Sequence, residues 1–250
     1  MKTLPQIIRK PLSSGKWNHI LVGILLLYSA DGYSCINCNQ DVRQAISSSF
    51  CNNPLLLLGF IILTVVVTGL SVIALKKPNP YLKNITGMFY SPKAPLTAAS
   101  MVLGIGIGGF IDGIVLHQIL QWHEMLSNKI TPVTLISKSV NMFWDGIFHL
   151  FTLLVTITGI YLLWKVLQQK QLSKDYRLLI GGMLLGWAIF NLLEGILNHH
   201  ILKLHNVREI SNSPDWWNYG FLFFSIVLLL VGILQISRPL PSNHSDIVSY

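Results

Sequence analysis

Charge is what this chain has least of. Of its 250 residues only 11% are charged and ten are acidic, against roughly 25% charged in soluble globular proteins. Three cysteines are too few for a disulfide scaffold. There is no P-loop, no HEXXH helix and no nucleophile elbow, which removes the phosphate-cradling, zinc-protease and serine-hydrolase readings those motifs carry. No loop is long enough to be a soluble domain. What remains is apolar: 52% hydrophobic residues and a mean hydropathy of +0.54. That excludes intrinsic disorder and exceeds what one soluble domain of this size can bury. The fold class is all-α, a polytopic helical membrane protein.

A bilayer core needs about 20 apolar residues per helix. Five stretches qualify: Leu55–Leu75, Ala98–Trp122, Ser139–Trp164, Leu178–Leu202 and Trp216–Ile236. A shorter run, Ile20–Ala30, follows a basic start and reads as a signal peptide or a sixth, retained helix. With a cytoplasmic N-terminus, 13 of the 18 Lys and Arg fall on inside segments. Five (Arg43, Lys129, Lys138, Lys203 and Arg208) fall outside. This positive-inside pattern accounts for the net charge of +8 without nucleic acid. Trp122, Tyr161, Trp164, Trp216, Trp217 and Tyr219 stand near the expected helix ends, as interfacial belts do.

An internal repeat runs through the second and fourth long stretches. Val102–His123 aligns with Leu184–His205 at an offset of 82, laying DGIVLHQILQWH over EGILNHHILKLH with Asp112 facing Glu194. Nine of the 22 positions are identical, among them Gly104/Gly186, Gly113/Gly195, His117/His199 and His123/His205. Two helices separate the starts of the copies, so both run the same way, a parallel repeat. Chance similarity of apolar helices explains the Ile and Leu matches, not an acid, glycines and two histidines in register. The helix between carries an echo, Asp145-Gly146-Ile147-Phe148-His149. The orientation brings all three motifs to the outer half of the bilayer.

Three acids lie within expected spans, and each costs roughly 2.5–3.5 kcal/mol at a helix centre on insertion scales. Six of the eight histidines, His117, His123, His149, His199, His200 and His205, belong to the same motifs. Grouping these helices lets imidazoles and carboxylates satisfy one another. Asp145 and His149 share a helical face. Asp112 and His117, five apart, lie roughly 140° apart on an ideal α-helix and meet one centre only if it is locally rewound. The simplest arrangement turns His117, His149 and His199 inward as metal ligands; His123, His200 and His205 are secondary candidates, and His123 and His205, beyond the helix ends, are free to fold back over the site as a lid. Asp112, Asp145 and Glu194 then support the rings through their N–H groups or form a proton path. Imidazoles with nearby carboxylates suit copper, iron or zinc. A b-type haem, a proton-coupled pathway and a purely structural polar cluster are the alternatives.

Gly104, Gly106, Gly108 and Gly109 lie inside an apolar helix with no preceding strand. They read as helix-packing residues rather than a nucleotide loop. Cys35, Cys38 and Cys51 fall outside the membrane, where a disulfide, a redox pair and a soft-metal site are all open.

GIGGFIDGIVLHQILQWHEM, FWDGIFH and FNLLEGILNHHILKLHNVRE resemble an uncharacterised bacterial membrane-protein family, the domain of unknown function numbered 2243, over roughly Lys93–Ile236. In that family the first motif usually reads LQWHH, and here Glu124 replaces the second histidine. Its members occur with, or fused to, membrane proteins of copper-dependent cytochrome oxidase assembly. The resemblance therefore implies a respiratory-metal connection and oxidase-assembly partners. It divides the chain into an N-terminal helical pair with an external Cys loop (1–90), a His/acid membrane bundle (91–238) and a cytoplasmic tail (239–250). The expected protein sits in the bacterial inner membrane and holds a transition metal near the extracytoplasmic face. A membrane metal-dependent oxidoreductase and a proton-coupled transporter are its rivals.

Overall fold

The computed structural model describes residues 39–52, 54–76, 93–169 and 175–238. The Ile20–Ala30 run, Cys35, Cys38 and the 239–250 tail lie outside them. A short helix α1 (Gln40–Asn52) and a 3₁₀ turn (Pro54–Leu57) lead into α2 (Leu58–Leu75). Then come α3 (Ala94–Ile111), α4 (Leu135–Leu167), α5 (Tyr176–Glu194) and α6 (Pro214–Ser237). There is no strand among the described residues. Both α3 and α5 run on without a break into π-helical segments, Asp112–Ile119 and Gly195–Ile201. Five segments are long and apolar enough to cross a membrane: Leu55–Leu75, Ala94–Ile119, Leu135–Leu167, Tyr176–Ile201 and Pro214–Ser237.

The helix starts follow local chemistry. Pro95 and Pro214 occupy first-turn positions, where a missing N–H costs nothing. Thr134 and Ser137 form a reciprocal capping box that begins α4 a turn earlier than hydropathy alone indicates. The Asp175 carboxylate accepts the Arg177 backbone N–H at 2.8 Å and pairs with its guanidinium. These bonds hold the Asp175 pKa below the usual carboxylate range.

Helices α3 and α5 lie side by side at the centre, with α4 against α3, α6 against α5 and α2 across α3 and α4. Lipid is as apolar as leucine, so close backbone packing must hold this pair. A Cβ on Gly104 would strike the backbone of Met183, and one on Gly186 would strike the backbone of Met101. Each contact is the other's counterpart at the repeat offset of 82. Such reciprocity is what two-fold related copies require. The relation extends to the outer helices: Gly159 of α4 packs on Leu103, and Gly232 of α6 packs on Leu185. The bundle is therefore a tandem of two helix pairs, α3–α4 and α5–α6. Apolar side chains on α2, α4 and α6, such as Val65, Leu154 and Phe223, point outward, as lipid-facing residues do.

Candidate metal centre

The polar interior gathers at the end of the bundle where the π-helical segments stop. An α-helix carries residues five apart to different faces, whereas i→i+5 hydrogen bonding brings them together. The His117 Nε2 accordingly lies 3.2 Å from Asp112 Oδ2. Each π segment closes with a bond to the residue five back, Leu120 N–H to Val115 O (2.8 Å) and Leu202 N–H to Leu197 O (2.7 Å). The next residues, Gln121 and Lys203, take left-handed φ values of 48° and 50°. These equivalent turns reverse the chain. They send His123 and His205 back into the bundle, where the rings stack with centroids 4.6 Å apart and 4° between planes.

Hydrogen bonds across the approximate two-fold lock the two loops together. His123 Nδ1 bonds the Val207 carbonyl at 2.8 Å, and His205 Nδ1 bonds the Met125 carbonyl at 3.0 Å. Residues 125 and 207 are themselves repeat equivalents. The Met125 N–H donates to Asp145 Oδ1 (3.0 Å), and the Val207 N–H donates to Asn218 Oδ1 (2.9 Å). Asp145 and Asn218 thus occupy matching places on α4 and α6, 73 residues apart, as do Gly159 and Gly232. Asn141 fastens the first loop, accepting the Leu126 N–H and donating to the Ile130 and Ser137 carbonyls.

The copies differ where it matters chemically. His117 Nδ1 bonds Asp145 Oδ1 at 3.0 Å. Asn218 turns its amide to Asn206 instead, at 2.9 Å. The second-copy equivalent of His117, His199, has neither ring nitrogen hydrogen-bonded among the described residues, although it is buried. Phe148 stacks on His117 and Phe221 lies beside His199, again as equivalents.

Ligand atoms of His117, His123, His205 and Glu194 all lie within 4.8 Å of one another, and all four residues are buried. In each of the three histidines Nδ1 is bonded to an oxygen, and in His123 this makes Nδ1 the N–H donor and leaves Nε2 as the lone pair. His123 Nε2 and Glu194 Oε2 have no hydrogen-bond partner among the described residues, and His117 Nε2 faces only the Asp112 carboxylate. Glu194 Oε1 lies 3.5 Å from His205 Nε2. Burial holds the His123 pKa well below its ordinary value, and the neighbouring imidazoles push it the same way, so that ring is neutral.

This is not the inward set that helical spacing suggests. His117 joins the group, and His123 and His205 enter it from the loops. Glu194 stands within it rather than behind a ring. His149 stands apart, with Nδ1 on its own helix at the Asp145 carbonyl (2.6 Å). His200 likewise bonds the Gly195 carbonyl (2.8 Å) and lies against Tyr219. Glu124 is buried and ion-paired with Lys138. Cys51 is an exposed thiol at the end of α1. His123 and His205 do fold back from beyond the helix ends, and they enter the buried group itself rather than cover it as a lid.

Residues 99–238, spanning both helix pairs, match the family model described as "Predicted membrane protein (DUF2243)". The chain belongs to that family. No curated protein and no solved structure matches it. The match starts within α3, so the DUF2243 region carries every member of the buried group, and α1 and α2 precede it.

Asp145 holds both His117 Nδ1 and the Met125 amide. If the group holds a metal, substituting Asp145→Asn is expected to weaken its binding by about 10- to 100-fold, as loss of such outer partners typically does, while the protein still elutes as a folded species. Competition with a chromophoric chelator measures the change, and an unaltered affinity would remove Asp145 from this role.

Proposed function

We propose that this protein binds one transition-metal ion between His117, His123, His205 and Glu194, with Asp112 as a neighbouring carboxylate. The observation that carries the reading is the pairing pattern of the three rings. Each has its Nδ1 committed to an oxygen and its Nε2 turned into the buried group, toward Asp112 from His117, toward Glu194 from His205 and unpartnered from His123. In metal sites the outer hydrogen bond fixes the tautomer and aims the opposite nitrogen at the ion. A helix-packing cluster would give His123 Nε2 a partner, because a buried unpaired polar atom costs about 1–3 kcal/mol. Three imidazoles and a carboxylate suit zinc, copper or iron. When bound, such an ion supplies Lewis acidity or a one-electron couple. The residues hold it and exclude water, and the His123 ring meets it neutral.

The distribution of Lys and Arg favours a site near the extracytoplasmic face of a bacterial inner membrane. Copper or iron handling for a respiratory oxidase is the most concrete role consistent with that place. Elemental analysis and a visible spectrum of detergent-purified protein test the metal. About one copper, iron or zinc per chain is expected. Protein that holds none, even after separate reloading with each metal, would overturn the reading.

A further inference from the structure

A second feature borders the buried group without belonging to it. Between α3, α5 and the start of α6 lies a cleft of about 640 Å³, within the roughly 300–1,000 Å³ typical of small-molecule sites. Its walls are almost wholly apolar, and four of them are the indoles of Trp122, Trp187, Trp216 and Trp217. Trp122 and Trp217 meet edge to face at 5.1 Å, and the Arg208 guanidinium lies 5.3 and 5.0 Å over their rings. That cation–π bracket steadies one wall. Trp216, Phe224 and Ile111 at the rim are exposed on the apolar outer surface, so the cleft opens where lipid would be.

Two polar side chains reach this cleft, Asp112 and Asn191. Both are more than nine-tenths buried, at 4% and 2% exposure. Asn191 Oδ1 lacks a hydrogen-bond partner among the described residues, and Asp112 Oδ2 faces only His117 Nε2 at 3.2 Å. A buried acceptor left unpaired is destabilising, so an occupant that brings a donor gains specifically. An acyl chain brings none. A quinone carbonyl brings none, and an anionic headgroup would meet the Asp112 carboxylate. A flat ring that lies along indole faces and carries a hydroxyl satisfies both requirements.

We propose that this cleft binds a membrane-soluble hydroquinone, its ring among the indoles and a hydroxyl donated to Asn191 beside Asp112. The inference does not require the ion, because Asn191 is outside the proposed ligand set.

Full-length protein in detergent is titrated with decylhydroquinone kept reduced under anaerobic conditions. The comparison compounds are its dimethyl ether, which has the ring but no donor, and decanol, which has a donor but no ring. The shift in thermal unfolding midpoint gives an apparent affinity for each. Saturable stabilisation by the hydroquinone is expected, with both comparison compounds weaker by about tenfold or more. Asn191→Leu should erase the preference for hydroquinone over ether. Gly220→Leu should abolish the shift. A Cβ at Gly220 meets no described atom within 4 Å, so that variant fills the cleft without disturbing the helix. Equal shifts from all three compounds would overturn the proposal and mark an unselective lipid groove. So would a shift that survives in Gly220→Leu. Metal content is measured on the same samples. A selective shift in ion-free protein sustains the cleft while the metal reading fails. Bound ion without a shift sustains the metal and ends the hydroquinone.

Discussion

Alanine at His123 or at His205 is expected to abolish the proposed metal binding. Each loses an Nε2 from the buried group and breaks the hydrogen bond that joins one repeat loop to the other. Losing an outer partner already weakens a metal site by about 10- to 100-fold, so losing a ligand should exceed about 100-fold. Occupancy after purification should fall below about a tenth of wild type. His199→Leu is the informative comparison. His199 is as buried as His117, sits at the equivalent repeat position and has no hydrogen bond to lose among the described residues. An apolar side chain there removes an unsatisfied group and should leave the ion in place. Elemental analysis of the three variants decides the matter. Metal retained in His123→Ala but lost from His199→Leu would move the site onto the helical histidines and away from the loops.

The second large effect concerns the central helix pair. Gly104→Val and Gly186→Val each place a branched side chain against the facing helix backbone, Met183 in one case and Met101 in the other. Overpacking against movable side chains costs about 1–3 kcal/mol, and backbone cannot swing aside, so each should exceed that range. The expected result is loss of the monodisperse peak in detergent size-exclusion chromatography, for either variant alone. Gly146→Ala, where an added Cβ meets no described atom within 4 Å, should behave as wild type or slightly better, since alanine favours helix. A well-folded Gly104→Val protein would show that α3 and α5 are not held by close backbone approach.

The two tests bear on different levels of the molecule, and the sequence informs them unequally. The scarcity of charge and the apolar stretches determine the membrane class and the five spans, because hydrocarbon admits only apolar helices of sufficient length. The offset of 82 determines that α3 and α5 are copies running in parallel, and the glycines within them mark where they touch. The repeat also continues into α4 and α6, where Asp145 answers Asn218. That part is hardly legible in sequence, because the second loop is shorter and the register drops to 73.

The membership of the candidate site was decided only by tertiary structure. Ideal helical geometry turns Asp112 away from His117 and leaves His123 and His205 beyond the helix ends. The i→i+5 segments and the left-handed turns at Gln121 and Lys203 reverse both facts. Neither is a property of residue type, since Gln and Lys have no local preference for positive φ. Each is held in place by bonds to the other copy, such as that from His123 to Val207 and that from His205 to Met125. Such conformations persist only where the surrounding contacts over-determine them, and here those contacts come from residues some 80 positions away in the chain.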